Sequence, residues 1–214
     1  MLTGYNIINL TDFIRIYGEE ATCERLQKYS CPLNPDVEVF LRRKAIEFSK
    51  QGISRTHLIY VSYREQPVLV GYYALAQKTI SIHKSNLSRS SCDRLRRFST
   101  YDPEIGKYTL SAFLIGQLGK NFENNYNRLI SGDELLNIAL GQLSKIQYEV
   151  GGKYVYLECE DEEKLTAFYS RNGFVEFGRR PLDRDEIGYG ESKCLVQMLF
   201  DMRNFPMNHT NKKA

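Results

Sequence analysis

The chain predicts a mixed α/β (α+β) fold built on one mostly antiparallel sheet, and three observations carry that expectation. Segments of strand composition and of helical periodicity follow one another as strand, helices, a run of strands, a long helix, strand, short helix and two strands. The 214 residues, 42% of them hydrophobic, suffice for one core that needs no disulfide or metal staple. No internal repeat or low-complexity segment interrupts the pattern. A single domain is therefore expected over residues 1–203, with a polar tail at 204–214.

Taken in order, Tyr5–Leu10 reads as a short strand, and Thr11-Asp12 as the cap of a short helix from Phe13. After the proline-punctuated loop Ser30–Pro35, Asp36 opens an amphipathic helix. Its apolar face is Val37, Phe40, Leu41, Ala45 and Phe48, and Gly52 stops it. β-branched and aromatic residues make Thr56–Tyr63 a strand. Arg64-Glu65-Gln66-Pro67 then turns the chain into a second strand, Val68–Ile82, to give a hairpin. The stretch Lys84–Lys107 differs in kind, being polar, serine-rich and basic. Strand composition returns over Tyr108–Leu118.

Gly132–Val150 is the clearest helix, with Leu136, Leu140 (or Ala139), Leu143, Ile146 and Val150 at helical spacing. Gly151-Gly152 ends it, and Lys153–Glu160 follows as a strand in which Val155, Leu157 and Cys159 alternate. A short helix over Glu162–Arg171 stops at Asn172-Gly173, a pair suited to left-handed conformation. Phe174–Gly178 and Cys194–Met202 are the last strands, joined by the charged loop Arg179–Lys193.

Composition excludes several classes. No apolar run approaches the roughly 20 residues of a membrane helix, and no basic segment precedes an apolar one at the N-terminus. A cytoplasmic protein without membrane contact is expected. Five cysteines without a C-x-x-C pair and three scattered histidines predict reduced thiols and no metal site. The formal net charge of +3 does not by itself require a nucleic-acid partner.

Two places carry chemistry. The first is a strand ending Gln117-Leu118-Gly119-Lys120, a loop Asn121–Ser131, and a helix starting near Gly132-Asp133-Glu134. A helix start offers unpaired N–H groups and a dipole that favour an anion, and Arg128 could add a bidentate contact. The same residues also read as an ordinary capped helix, with Ser131 as N-cap and Glu134 three residues on. The second place is Phe168-Tyr169-Ser170-Arg171-Asn172-Gly173-Phe174. Phe168 and Phe174 read as core, whereas a tyrosine hydroxyl at Tyr169 turned into a cleft could protonate a leaving group.

Together, the glycine-started helix, the strand, the short helix bearing FYxxxGF and the two closing strands resemble the GNAT superfamily of acetyl-coenzyme A-dependent N-acetyltransferases, over roughly Leu33–Leu199. The resemblance implies that Gln117, Leu118, Gly119 and Lys120 pair with the pantetheine arm of acetyl-CoA. It places the family's pyrophosphate loop, Q/R-x-x-G-x-G/A, on Asn127, Arg128, Ile130, Ser131 and Gly132. Asn127 stands there for Gln/Arg and Ile130 for the first glycine, so only Gly132 matches outright. Tyr169 becomes the general acid for the departing thiolate, and the backbone N–H near Leu118 or Gly119 the oxyanion donor.

The segments CPLNPDVEVFLRRKAIEFSKQGISRTHLIYV and VGYYALAQKTISI look like the branch of acetylating toxins from type II toxin–antitoxin pairs, from Leu33 to Gly178. That branch implies the amino group of aminoacyl-tRNA as acceptor, an antitoxin partner and a homodimer. The chain departs from it by an insert at about 84–107, where six basic residues face three acidic ones. Glu158 and Glu160 could deprotonate the amine through water, or simply form a solvated strand face. Three readings stay open: acetylation of aminoacyl-tRNA, acetylation of a small-molecule or peptide amine, and a non-catalytic acyl-CoA sensor or nucleic-acid-binding module.

Overall fold

A computed structural model describes residues 4–182 and 194–206. Most of the expected loop 179–193, and the tail beyond 206, lie outside the described residues. The elements are β1 (Tyr5–Asn9), α1 (Leu10–Tyr17), α2 (Glu19–Leu26), α3 (Pro35–Val39), α4 (Ala45–Gln51), β2 (Arg55–Tyr63), β3 (Gln66–His83), α5 (Arg89–Leu95), β4 (Thr100–Asp102), β5 (Lys107–Lys120), α6 (Gly132–Val150), β6 (Tyr154–Glu160), α7 (Glu163–Arg171), β7 (Val175–Pro181) and β8 (Cys194–Asp201). The strands form a mixed, mostly antiparallel sheet in the order β1-β2-β3-β5-β6-β8-β7, with β4 paired to β5. The expected fold class is the one observed.

Two compact units divide the described residues: 4–76 with Ile115–Ala139, and Gln77–Leu114 with 140–182 and 194–206. In the first, Leu10, Phe13, Leu26, Tyr29, Leu41, Ala45, Leu58 and Tyr72 build the core. The single helix expected from Asp36 is two α-segments joined by a π-turn, Phe40–Lys44. Its buried positions are Val37, Phe40, Leu41, Ala45 and Ser49, and all but Phe40 recur every four residues. A four-residue repeat slips behind a helix of about 3.6 residues per turn, and the wider π-turn takes up that slip.

The β2–β3 hairpin turns on two residues, Arg64 and Glu65, both at positive φ (51° and 62°). That is the two-residue turn whose twist matches the strands. Gln66 and Pro67, expected in the turn, already pair with Tyr63 and Ser62. Further along, the register shifts from Ile59↔Gly71 to Tyr60↔Leu69, leaving Val70 as the extra residue of a bulge. Helix α2, within a stretch given no element by its pattern, completes the core through Leu26.

In the second unit, Ile80, Ile82, Leu95, Leu110, Ala112, Tyr154, Tyr156 and Phe177 form the core. β6 and β8 pair antiparallel from Tyr154↔Asp201 to Glu160↔Leu195, and β7 lies on the other side of β8. The parallel pairing of β5 with β6 is Phe113↔Val155 and Leu114↔Tyr156. The polar stretch Lys84–Lys107 holds α5 and β4. Ser88 caps α5 by accepting from the Ser91 N–H, and Cys92 and Leu95 are buried beneath it. Two apolar residues three apart are too short a signal to stand out among so many serines and arginines. In α6, Leu136, Ala139, Leu140 and Leu143 are buried as their spacing predicts, whereas Val150 is 71% exposed. Of Asn172-Gly173, only Gly173 takes a positive φ, at 87°.

Candidate active site

The end of β5 is packed too tightly for side chains. A Cβ on Gly119 would lie 2.4 Å from Val37 Cγ1 and 2.6 Å from the Tyr29 hydroxyl, and one on Gly71 would lie 2.8 Å from the Gly119 carbonyl. Glycine is required at both positions because neighbouring backbone and side chains pass so close. The Tyr29 hydroxyl donates to the Lys120 carbonyl at 3.0 Å, and Tyr72 donates to the Val37 carbonyl at 2.6 Å. Gln117, Leu118 and Lys120 are half-buried beside the covered Gly119.

Asn121, which pattern reading left as a loop residue, holds this strand end in place. It is 1% exposed. Its backbone N–H donates to the Val70 carbonyl at 2.8 Å, and its side-chain amide donates to the Leu69 carbonyl at 2.8 Å. Its carbonyl oxygen Oδ1 accepts from the Ser30 and Glu123 N–H groups, each at 3.0 Å. The bulge at Val70 frees the two β3 carbonyls that Asn121 takes up. A polar residue between apolar Leu118 and Phe122 was the available signal.

The loop beyond Asn121 contains a 3₁₀ turn, Glu123–Arg128, in which Asn124 and Asn125 stand at φ 48° and 60°. Asparagine tolerates that region better than other side chains. Ile130, the residue matched to the family's first glycine, is 2% exposed, so its side chain belongs to the core. Arg128 is exposed and Asn127 half-buried.

At the start of α6 the bonds are reciprocal: the Ser131 N–H and hydroxyl donate to Glu134 at 2.8 and 2.7 Å, and the Glu134 N–H donates back to Ser131 Oγ at 3.1 Å. This is the capping box that the same residues spelled as an alternative to an anion site. Hydrogen bonds from the Ser131 backbone and then its side chain hold the Glu134 carboxyl below the usual carboxylate range. A carboxylate of the protein itself fills this helix start.

In the second unit, Tyr169 lies on α7 between the rings of Phe168 and Phe174, at centroid distances of 4.9 and 5.7 Å. Phe174 in turn packs on Phe200 at 5.1 Å. Phe168, expected in the core, is only half-buried, and the Arg171 guanidinium lies 5.0 Å from its ring. Tyr169 is the more deeply covered of the pair. Burial, and then the neighbouring Cys159, push its hydroxyl well above the usual range, so it holds its proton at neutral pH.

Glu158 sits in a different setting from a base waiting on water. Arg180 Nε and Nη2 donate to its two oxygens, both at 2.7 Å, and the Tyr156 hydroxyl donates to one of them. Gln197 also donates to Tyr156 at 3.0 Å and to Glu158 at 3.3 Å. Burial opposes ionisation of Glu158, but the bonds from Arg180 and Tyr156 and the charge of Lys78 outweigh it and keep the carboxyl below its usual range. A carboxylate tied in this way is a poor proton acceptor. Among the described residues no group of His, Cys, Asp and Glu could hold a metal ion, and no helix is long and apolar enough to cross a membrane.

No protein-family model and no curated protein sequence matches the chain. Solved structures do. A mutant of KacT, 16% identical, superposes with a TM-score of 0.60 over 95% of this chain and 98% of that one. A mutant of the toxin AtaT, bound to the C-terminus of the antitoxin AtaR and to acetyl-CoA, is 17% identical, with a TM-score of 0.57 over 94% and 96%. AtaT complexed with acetyl-methionyl-tRNAfMet is 18% identical, with a TM-score of 0.57 over 90% and 93%. The chain shares their fold. The likeness to KacT and AtaT covers 90–95% of this chain.

Proposed function

We propose that the protein is an acetyltransferase of the KacT and AtaT kind, moving an acetyl group from acetyl-CoA to the amino group of an aminoacyl-tRNA. The observation that carries this reading is the fold shared with a toxin solved with acetyl-CoA and with acetyl-methionyl-tRNAfMet, in a chain whose Tyr169 is buried and neutral. By the same reading it works in the cytoplasm beside an antitoxin, as a homodimer.

The reaction forms one bond and breaks one. The neutral amine attacks the thioester carbonyl carbon, and the carbonyl oxygen takes up negative charge. The backbone N–H of Leu118 meets that charge; removal of one such donor costs about 3–4 kcal/mol of transition-state stabilisation in other enzymes. The C–S bond then breaks, the sulfur receives the Tyr169 proton, and the amine nitrogen gives up its own proton through water. The Arg180 clamp removes Glu158 from the role of base. An aminoacyl ester needs none, because the ester lowers the pKa of its amine.

Acetyl-CoA binds through the end of β5, with its pyrophosphate at Asn127, Arg128, Ile130, Ser131 and Gly132. Because Glu134 holds the Ser131 N–H, the pyrophosphate displaces a carboxylate when it binds there. Mixing purified protein with acetyl-CoA and charged tRNA tests the reading, with mass analysis of the aminoacyl group. Acetylation of small amines or peptides alone would favour the other acceptor class, and no transfer to any amine would favour an acyl-CoA sensor.

A further inference from the structure

We propose that the insert, together with Lys153 and Arg203, forms a surface that binds the backbone phosphates of an RNA acceptor; the inference deepens the proposed function and rests on it. Helix α5 is anchored by the Ser88 cap and by buried Cys92 and Leu95, and Arg94, Arg96 and Arg97 are left exposed. The next residue, Phe98, is 51% exposed, and the Lys153 ammonium lies 3.8 Å from its ring centroid. The Tyr154 ring lies 5.4 Å from the same ammonium. The Lys153 carbonyl accepts from the Met202 N–H at 2.9 Å, which brings Arg203 to the same place.

Burial lowers the Lys153 pKa, and Arg203, Arg94 and Arg97 lower it further, against an opposing effect of Asp201. Three cations, Arg94, Arg97 and Lys153, thus share one field, beside the ion-paired Arg203. The nearby acids do not cancel it. Asp201 is engaged by Arg203, whose Nε and Nη2 donate at 3.1 and 2.7 Å, and Asp93 lies on α5 itself. Some surface cations are paired, as in Arg15–Asp12 and Lys50–Glu19. Among the described residues, Arg94, Arg97 and Lys153 have no carboxylate partner within ion-pair distance; Arg94 bonds only to Ser90 and Ser91. Like charges crowded without counter-ions oppose folding, and a polyanion relieves the repulsion by releasing its own condensed ions. Arginine forks match phosphate oxygens, and an exposed ring beside them can stack on a base.

The test compares the wild type with the triple variant Arg94→Gln, Arg97→Gln, Lys153→Gln. Deacylated tRNA binding is measured across salt, and acetylation of charged tRNA is set beside that of a 3′-aminoacyl trinucleotide. Three lost phosphate contacts should make the logarithmic salt dependence shallower by about 2 to 3 and weaken tRNA binding about 10- to 100-fold near ~0.1 M salt. Turnover of the trinucleotide should stay at the wild-type level. The variant should melt no lower than the wild type, since repulsion has been removed; if it does melt lower, the double variant Arg94→Gln, Arg97→Gln takes its place. Unchanged slope and affinity overturn the proposal, as does polyglutamate binding that depends on these residues while tRNA binding does not, which would assign the surface to an acidic protein. If the wild type acetylates neither acceptor, the acetyl-transfer reading fails, and the tRNA salt slope still decides the surface.

Discussion

In the proposed reaction Tyr169 gives up a proton from a position where burial makes it reluctant to ionise. That reluctance suits a group that must arrive protonated. Tyr169→Phe should therefore leave acetyl-CoA affinity unchanged and lower turnover about 10²-fold or more. Equal turnover would remove Tyr169 from the chemistry. Gly119→Ala acts earlier: its new methyl meets Val37 and Tyr29 inside 3 Å. The expected loss is about 1–3 kcal/mol of stability, read by denaturant unfolding, together with weaker acetyl-CoA binding.

Glu158→Gln removes the charge that the Arg180 fork and the Tyr156 hydroxyl hold, and about 1–3 kcal/mol of lost stability is expected. Because the folded state lowers the Glu158 pKa, the contribution of its charge is complete above the ordinary carboxylate range and fades as pH falls through the lowered value. Tyr169 was legible as a candidate because its motif is local. Asn121 was not, because its role depends on a bulge in another strand. The clamp on Glu158 was hidden for the same reason, since Arg180 lies on β7 and the pair forms only once the sheet is assembled.

Among the elements, the start of α6 is where two readings of the same residues meet. The capping box stabilises the helix, and a pyrophosphate bound as proposed would break it. Glu134→Gln keeps the hydrogen-bonding shape but removes the competing charge, so acetyl-CoA should bind about 2- to 5-fold tighter by calorimetry. Weaker binding would mean that the pyrophosphate sits elsewhere. Ser131→Ala should cost about 1 kcal/mol of stability at neutral pH. That cost should shrink in acid, because the lowered Glu134 carboxyl contributes fully above its ordinary range and is lost as it protonates.

Long, strongly periodic elements such as α6 were read correctly from spacing, apart from the last turn. The π-turn within the Asp36 helix was not legible, because the expected face ran to Phe48, whereas burial runs to Ser49. Helix α5 was hidden because its stability comes from one serine cap and two covered side chains.

For the whole molecule, the formal charge of +3 equals the charge of the insert between Lys84 and Lys107. The fold turns that balance into a location, since the insert's arginines meet Lys153 and Arg203, residues far away along the chain. The fold itself is shared with toxins solved with acetyl-CoA and with acetylated initiator tRNA, at 16–18% identity.

The most direct test of the account incubates the protein with labelled acetyl-CoA and a set of aminoacyl-tRNAs, with hydrolysed RNA analysed for N-acetylated amino acid. Label on the amino group of at least one aminoacyl-tRNA, strongly reduced in Tyr169→Phe, is the predicted result. Label on small amines or peptides but on no aminoacyl-tRNA would contradict it.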